Sequence, residues 1–488
     1  MERLAVDVVV EGGTVLTMDS DRRVVPDGTV AIQGNRIIDV GPAPDVAGRV
    51  EARRRIDARG KLVMPGLVNC HTHVIQILLR GGLSQDKELY DWLFNVLYPG
   101  LAQYRPEDAR LAARLYSLEA IRSGITTIVD NEDQGRSDDI AVATIEAFAE
   151  TGIRAVYARM FFDNSPEHLG KLVDTIMRRA PGVRHAQDLI ETTEQAISHI
   201  ESLMERFHGT ADGRIQVWPA PSLPNITSES GLLAAAELAD KRSAKVTLHL
   251  AEAPLDAKMY EMTSTEYLDA IGFLSPKVLA AHCVWMTDRD LRILRTHDVK
   301  VAHNAISNLY LASGFAPVTR MVGQGLTVGL GSDDANCNES VNLFQVMKFA
   351  ALVQRGSTLD AAALSSEKVV EMATIDGARA IGMEDDIGSL EVGKKADLIV
   401  LDRTNPQLWP LHHIPNALVY QAYGSEVETS IVDGQVVMEN RRLTFLGEGE
   451  EETLYRDAQA ASVDIAQRAG LVGLDRGWLS ITGPERRP

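Results

Sequence analysis

Hydrophobic and polar positions follow two different patterns along this chain. Up to residue 64, short runs with strand-like alternation are separated by Gly, Asp and Asn, and helical periodicity is absent. The clearest runs cover residues 6–10, 13–18, 29–32 and 36–41. This pattern predicts a small β domain at the start of the chain.

The same pattern returns near the end of the chain, at residues 396–402 and 429–437. A β domain made only from the first segment would be incomplete. We therefore expect residues 1–64 and 389–488 to form one β-sandwich domain, with a helical tail at the end. Another domain is inserted between the two halves.

Residues 65–388 show a different pattern, in which short buried apolar runs alternate with longer amphipathic segments such as 106–123 and 288–296. Such alternation is typical of βα units around a parallel sheet. Eight strands are predicted, at 62–73, 124–131, 154–162, 214–221, 245–252, 278–284, 299–307 and 326–333. The predicted fold class is α/β, a (β/α)8 barrel of the TIM type, whose active site would lie at the carboxyl ends of the strands.

Metal-ligand residues stand at several of these strand ends. The first predicted strand ends in His71-Thr72-His73, and alternate side chains on a strand point to the same face. A catalytic metal needs further ligands, and His249 and Asp333 follow the fifth and eighth strands. Imidazole and carboxylate ligands suit one divalent ion, Zn²⁺ or Fe²⁺.

Glu252 and His282 are the candidate catalytic partners of this metal. Glu252 lies three residues after His249 and can move protons between water and a substrate nitrogen. Asp333 can take a proton from metal-bound water, whose pKa falls toward ~7. His282 either ligates the ion or hydrogen-bonds the water, and the sequence leaves both roles open.

The alternative for each of these residues is an ordinary structural role. A lone His-x-His pair fits a solvated loop, and a single strand-end histidine is commonly a hydrogen-bonded core residue. Clusters of ligand-type residues at five separate strand ends are harder to explain in that way. Surface or structural roles are expected for the histidines that lie away from strand ends, which are His168, His185, His199, His208, His297, His412 and His413.

Composition narrows the classes of partner. The 488-residue chain carries a formal charge of −19, spread along its length, which disfavours nucleic acid and anionic lipid. It offers no signal peptide and no apolar run of ~18 residues for a membrane span, so a cytoplasmic location is expected. Three cysteines are too few for a disulfide framework, and Cys70 and Cys283 are expected to be small buried apolar residues.

The motifs together resemble the amidohydrolase superfamily over nearly the whole chain. They are Pro-Gly-Leu-Val-Asn-Cys-His-Thr-His at 65–73, His-Leu-Ala-Glu at 249–252, the strand end at His282, Gly-Ser-Asp at 331–333 and Gly-Lys-Lys-Ala-Asp-Leu at 393–398. The chain is most similar to the branch that contains methylthioadenosine and S-adenosylhomocysteine deaminases and the s-triazine hydrolases. Segments 74–82, 89–96 and 158–163 look like those of the melamine-deaminase and atrazine-chlorohydrolase type.

Several positions bear on the substrate that this resemblance implies. Asp334, Cys337 and Leu89 match the melamine-deaminating type, whereas the chlorohydrolase type carries Asn and Ser at the first two positions. Ser222 stands where nucleoside deaminases of the branch carry a ribose-binding histidine. In contrast, His303-Asn304 looks more like the nucleoside deaminases.

We therefore expect hydrolytic deamination of an aminated aromatic N-heterocycle, with an s-triazine such as melamine as the leading substrate. Glu252 would protonate a ring nitrogen, and ammonia would leave after water has added to the ring. The expected substrate-binding residues are Gln76, Trp92, Asn304, Asp334 and Cys337. The alternatives are deamination of guanine or of a methylthioadenosine-like nucleoside, triazine dechlorination, and a non-enzymatic binding protein on the same fold. Self-association is expected, since barrels of this class commonly form oligomers.

Overall fold

The computed structural model describes residues 3–83, 86–133, 138–163, 190–259 and 261–471. Its strands are β1 (Leu4–Leu16), β2 (Val24–Gln33), β3 (Arg36–Pro42), β4 (Val50–Asp57), β5 (Leu62–Pro65), β6 (Leu67–His73), β7 (Ile125–Asp133), β8 (Arg154–Asp163), β9 (Ile190–Glu191), β10 (Ile215–Pro221), β11 (Val246–Leu250), β12 (Lys258–Met259), β13 (Met262–Thr263), β14 (Val278–His282), β15 (Lys300–His303), β16 (Val328–Leu330), β17 (Asp333–Asp334), β18 (Leu398–Leu401), β19 (Val427–Val432), β20 (Gln435–Glu439) and β21 (Arg442–Leu443).

Most of the α-helices lie in the middle of the chain, between the strands. The α-helices of the described residues are α1 (Ala43–Arg49), α2 (Leu89–Trp92), α3 (Tyr98–Leu101), α4 (Pro106–Arg122), α5 (Asp138–Thr151), α6 (Thr193–Phe207), α7 (Glu229–Lys241), α8 (Ser264–Ala270), α9 (Asp288–Thr296), α10 (Ala305–Tyr310), α11 (Val318–Gly323), α12 (Ala335–Asn338), α13 (Leu343–Thr358), α14 (Ser366–Ala373), α15 (Ile375–Ile381), α16 (Ile414–Tyr420) and α17 (Glu450–Arg468). The prediction of mixed α/β structure is therefore confirmed. Within the described residues, every helix is too short or too polar to cross a membrane.

Both ends of the chain contribute to one nine-stranded sheet. Its order is β21-β20-β19-β18-β5-β1-β2-β3, and β4 pairs with β1. Strand β18 from the C-terminal part lies antiparallel to β5 from the N-terminal part. The prediction that the two distant segments join in one sheet is confirmed. The pattern missed β4 and divided β1 into two strands, because β1 continues through the irregularities at Gly13.

The two faces of this sheet contact different cores. Val63 and Val400 point into the core of the terminal sheet, whereas their neighbours Leu62 and Leu401 belong to the large core of the middle segment. Alternate residues of a strand face opposite sides of a sheet. Strands β5 and β18 therefore attach the terminal sheet to the rest of the molecule.

The middle segment contains the parallel strands that were predicted. They pair in the orders β10-β8-β7-β6-β17 and β11-β14-β15-β16. The chain passes from β16 to β17 at residues 331–332, and the backbone N–H of His249 on β11 donates to the carbonyl of Ser222, directly after β10, at 2.9 Å. Following these neighbours from β6 leads through all the strands of these two orders and back to β6.

Two predicted strands are interrupted, and each break has a local cause. The first is divided at Gly66, where a Cβ atom would lie 2.2 Å from the side chain of Thr126. The eighth is divided at Gly331 and Ser332, since the N–H of Ser332 donates to the side chain of Asn69 at 2.9 Å. A Cβ at Gly331 would lie 2.1 Å from Oδ1 of Asn304. The absence of a side chain at Gly331 therefore lets the end of the eighth predicted strand pack against Asn304 and His71.

The seventh predicted strand, 299–307, ends earlier than expected. Strand β15 stops at His303, and helix α10 begins at Ala305. The helices predicted at 106–123 and 288–296 are present as α4 and α9 within one residue at each end. Because α10 begins directly after this strand, its polar residues Ser307 and Asn308 lie close to the candidate metal ligands.

Candidate active site

The four predicted metal ligands converge at one place. Nε2 of His71 lies 3.4 Å from Oδ1 of Asp333, and Nε2 of His73 lies 3.5 Å from the same oxygen. Nε2 of His249 lies 3.3 Å from Nε2 of His73. All four residues are buried. Distances of this size are those between atoms that share one ligand sphere.

Strand pairing explains why these side chains meet. Asp333 on β17 is the register partner of Thr72 on β6, between the two histidines. The hydroxyl of Thr72 also donates to the backbone carbonyl of Asp333 at 2.9 Å. Asp333 has a left-handed backbone with φ 57°, a conformation that non-glycine residues adopt mainly where the surroundings enforce it.

Hydrogen bonds orient the other two imidazoles. Nδ1 of His249 lies 3.1 Å from the carbonyl oxygen of Ser222, and Nδ1 of His282 lies 2.9 Å from Oδ1 of Asn308. An Nδ1–H that donates to these acceptors leaves Nε2 free to accept or to ligate. Nε2 of His282 then lies 3.6 Å from Glu252 and 3.8 Å from Asp333.

Burial favours the neutral form of His71, His73 and His249. Desolvation lowers the pKa of His73 to about 3, and it lowers the pKa values of His71 and His249 in the same direction. For Asp333, burial would raise the pKa, but the neighbouring His282 and His71 hold it well below its usual range. Neutral imidazoles beside an ionised carboxylate are the protonation states that metal ligation requires.

The pKa of Glu252 is shifted in the opposite direction to that of Asp333. Burial, followed by the charges of Asp333 and Asp256, raises the pKa of Glu252 well above its usual range. Asp256 also fixes the turn after β11, since its carboxylate accepts the backbone N–H groups of Glu252 at 2.8 Å and of Ala253 at 2.7 Å. Glu252 is therefore a buried carboxyl group beside the candidate metal ligands, and its raised pKa favours the protonated form.

A pocket opens above these residues, and three of the five predicted substrate-binding residues line it. They are Gln76, Trp92 and Cys337. Oδ1 of Asn336 accepts the indole N–H of Trp92 at 2.8 Å. Oε1 of Gln76 is buried and has no hydrogen-bond partner in the described part of the chain. Burial raises the pKa of the Cys337 thiol well above its usual range, so this side chain faces the pocket uncharged.

The other two predicted substrate-binding residues, Asn304 and Asp334, are not among those that line the pocket. Nδ2 of Asn304 lies 3.3 Å from each ring nitrogen of His282. Asp334 caps the short helix α12 by accepting the N–H of Asn336 at 2.9 Å, and burial raises its pKa well above the usual range. Both residues contact the site through a neighbour, so their direct contact with a substrate stays a prediction.

Sequence reasoning missed several residues of the site. Ser307 donates to Oδ2 of Asp333 at 2.5 Å, and Asn308 holds His282. Both lie on the first turns of α10, within four residues of Asn304, so helical spacing after the seventh strand was the available signal. The pocket wall also includes apolar or aromatic residues from several loops, namely Leu93, Leu97, Tyr98, Met160, Leu223 and Leu311.

The remaining histidines and the cysteines agree with structural roles where the structure describes them. His199, His208 and His297 make hydrogen bonds to Glu191, Val217 and Asp269, respectively. His412 and His413 are exposed, whereas His168 and His185 lie outside the described residues. The three cysteines, Cys70, Cys283 and Cys337, are free and buried.

The donor set fits a divalent metal ion. Ligand atoms of His71, His73 and Asp333 all lie within 4.8 Å of one another, and so do those of His71, His249 and His282. Both ring nitrogens of His71 and Nδ1 of His73 are buried without a hydrogen-bond partner in the described residues. Buried polar atoms of this kind are costly unless a partner satisfies them, and a metal ion would serve as that partner.

The chain is similar to known proteins over nearly its whole length. The model of the amidohydrolase family matches residues 62–437. An S-triazine hydrolase of Gordonia rubripertincta is 39% identical over 480 residues, which cover 97% of this chain and 99% of that protein. A 5'-deoxyadenosine deaminase of Methanosarcina acetivorans is 38% identical over 467 residues, 95% of this chain and 99% of that protein.

The fold is also similar to solved structures. The crystal structure of an adenosine deaminase from Xanthomonas campestris with bound zinc matches this chain with a TM-score of 0.85 and 26% sequence identity. The match covers 96% of this chain and 100% of the deaminase chain. The resemblance drawn from the motifs is confirmed by these relatives. The chain therefore belongs to the amidohydrolase family of hydrolases.

Proposed function

We propose that this protein is a metal-dependent hydrolytic deaminase of an aminated aromatic N-heterocycle. The observation that carries this proposal is the convergence of His71, His73, His249 and Asp333 beside the buried carboxyl group of Glu252 at the floor of a pocket. The net reaction exchanges a ring amino group for a hydroxyl group, consumes one water and releases ammonia.

The finer architecture belongs to the same proposal. We take the cyclic order of parallel strands as a (β/α)8 barrel over residues 65–388, and residues 1–64 with 389–488 as a β-sandwich domain. The strand-end position of the candidate ligands supports this assignment, because barrel enzymes carry their active sites there. A cytoplasmic location and self-association stay predictions.

The chain supplies ligands for the metal and groups for proton transfer. His71, His73, His249 and Asp333 would hold one Zn²⁺ or Fe²⁺, and His282 lies where it can ligate or hydrogen-bond. When bound, such an ion lowers the pKa of a coordinated water toward ~7. Asp333, kept ionised by its histidine neighbours, accepts a proton from the attacking water.

Glu252 performs the other half of the proton transfer. Its raised pKa keeps the carboxyl group protonated, so it can donate a proton to a ring nitrogen as the ring accepts the oxygen. A protonated ring nitrogen withdraws electrons from the carbon under attack. Proton return to the amino group then allows ammonia to leave.

The pocket supports a flat ring with amino substituents. Its wall is largely apolar and includes Trp92, which offers an aromatic face to a planar ring. The unpaired Oε1 of Gln76 can accept a hydrogen bond from an amino group. Ser222 lines the pocket in place of a histidine. These features favour an s-triazine such as melamine.

A second candidate, a nucleoside of the adenosine class, is favoured by an adjoining cavity. This cavity shares Leu89 and Leu311 with the pocket and is also lined by Glu88 and Ser313. The hydroxyl of Ser313 is buried without a partner in the described residues. A carboxylate and a free hydroxyl could bind the hydroxyl groups of a ring substituent. The triazine hydrolase and the deoxyadenosine deaminase are almost equally similar in sequence.

A substrate panel tests the proposal. Purified protein with measured metal content would be given melamine, guanine, methylthioadenosine and adenosine side by side, with released ammonia as the readout. Melamine turnover above the others supports the s-triazine assignment, and adenosine or methylthioadenosine turnover moves it to the nucleoside class. Chloride release from a chlorotriazine, without ammonia release, would identify a dechlorinase. Metal-loaded protein that turns over none of them would contradict the enzymatic proposal.

A further inference from the structure

We infer that Asn336 and Glu339 are positioning residues that fix the substrate-facing wall of the pocket. They lie in the segment that follows Asp333. Asn336 contacts Trp92, and Glu339 contacts the turn at Gly81 and Gly82. This inference rests on the proposed function for its kinetic consequence, but the contacts themselves do not depend on it. The loop would thereby join the metal ligand and the pocket wall into one unit.

The first contact is the indole of Trp92. Its Nε1–H donates to Oδ1 of Asn336 at 2.8 Å, although the two residues are 244 positions apart in sequence. Both side chains are buried. Asn336 is itself held in place, because its backbone N–H donates to Asp334, the neighbour of Asp333. The orientation of the indole is therefore tied to the backbone that carries the metal ligand.

The second contact is made by Glu339. Its Oε2 accepts the backbone N–H of Gly81 at 2.9 Å, and its Oε1 accepts that of Gly82 at 3.1 Å. The hydroxyl of Tyr310 donates to Oε1 at 3.2 Å. One carboxylate thus collects three donors, two of them successive backbone amides, an arrangement that binds carboxylates well.

The backbone on both sides of this contact has positive φ angles. Gly81 and Gly82 have φ values of 100° and 89°, in the left-handed region that favours glycine. Glu339 itself has φ 60°, which a glutamate adopts only where its surroundings hold it. We call these three residues the clamp. The Gly81-Gly82 turn follows the helical turn Ile75–Leu79, which carries the pocket residue Gln76.

A double-mutant cycle on Asn336 and Trp92 separates a positioning role of the Asn336 contact from a merely structural one. N336A removes one buried hydrogen bond, worth a factor of about ten in affinity. We expect it to raise KM about tenfold while kcat changes less than KM does. In a W92F background the donor is already absent, so N336A should add little further increase.

Asn338 provides a matched control on the same loop. Its amide donates to the carbonyl of Ser332, and no contact with Trp92 is described for it. N338A should therefore combine additively with W92F. Additive effects of N336A and W92F on KM would overturn the inference, and so would equal coupling for N338A.

The Glu339 contact has a test that does not depend on turnover. In E339Q the glutamine side chain has one acceptor oxygen and one NH2 group in place of two acceptor oxygens. One of the two glycine N–H groups would then face the NH2 group and lose its acceptor. Hydrogen exchange should therefore become faster in peptides that contain Gly81 and Gly82, with metal content unchanged. Unchanged hydrogen exchange at Gly81 and Gly82 would contradict the inference that Glu339 holds this turn in the clamp. A wild-type protein that deaminates no heterocycle would contradict the proposed function alone, because the exchange result stands independently.

Discussion

The floor of the site and its wall are built in different ways. The floor consists of His71, His73, His249, Glu252 and Asp333. The three histidines and Asp333 lie on strands that are paired with their neighbours, and Glu252 lies in the turn after β11 that Asp256 fixes. The wall comes from loops and short helical turns and depends on contacts such as that between Trp92 and Asn336. Rigid strands fix the chemistry, whereas loops vary the substrate. The relatives of this chain include an S-triazine hydrolase and a 5'-deoxyadenosine deaminase, a variation that a constant floor and a variable wall would allow.

The largest expected effect comes from Glu252, which tests the floor. E252Q keeps the shape of the side chain but removes the proton donor, so kcat/KM should fall by a factor of about 10² to 10⁴. Metal content should stay the same, because Glu252 is not among the proposed ligands. E266Q, which alters a helix cap away from the pocket, is the matched control with near-normal activity. A fully active E252Q would remove Glu252 from the mechanism.

Asp334 lies at the border between floor and wall. Its carboxyl group is buried, its pKa is raised well above the usual range, and one oxygen has no partner in the described residues. A protonated carboxyl here could help an amino group leave as ammonia, whereas chloride needs no proton. D334N should therefore lower ammonia release from an aminotriazine about tenfold or more, and lower chloride release from a chlorotriazine much less. Equal losses would restrict Asp334 to capping helix α12.

Substitution of Gln76 tests whether the wall binds the substrate. Q76L keeps similar bulk but removes the unpaired acceptor, and the loss of one hydrogen bond to a substrate amino group should raise KM about tenfold. The value of kcat should change less, since this contact would form in both the ground state and the transition state. Steady-state kinetics on melamine would measure both constants. An unchanged KM would mean that Gln76 does not bind the substrate.

The smallest expected effect concerns acid stability near the floor. His303 is buried, and desolvation lowers its pKa to about 3, so the folded protein keeps it neutral while the unfolded chain protonates it below pH ~6.5. The unfolded state then binds more protons, and stability falls as pH decreases below that value. H303N should reduce this slope by about 1.4 kcal/mol per pH unit. Urea unfolding of chelated protein at several pH values would measure it, and identical slopes would contradict the assignment.

The sequence could predict that the floor residues lie together, because each of them stands at or just after the end of a recognisable strand. His71 and His73 follow the alternation of a strand, and His249, Glu252 and Asp333 follow apolar runs of strand length. The parallel arrangement then brings these ends together. The joint sheet of the two chain ends could be predicted for a similar reason, since the same alternation appears in both segments.

The wall could not be predicted to the same extent. Ser307 and Asn308 reach the site only because β15 ends early and α10 begins there, and an apolar run does not specify where a strand gives way to a helix. The contact between Trp92 and Asn336 depends on how two loops pack. Trp92, Gln76 and Cys337 were identified by resemblance, and the same reasoning included Asn304 and Asp334, which do not line the pocket.

The most direct test of the whole account is a metal titration of the chelated protein. We expect the chelated protein to release no ammonia, and activity to rise with added Zn²⁺ or Fe²⁺ until one ion is bound per chain. H73N should bind the ion weakly and stay inactive over the same range. Full deaminase activity in metal-free protein, or a normal titration of H73N, would contradict the claim that these four residues hold a catalytic metal.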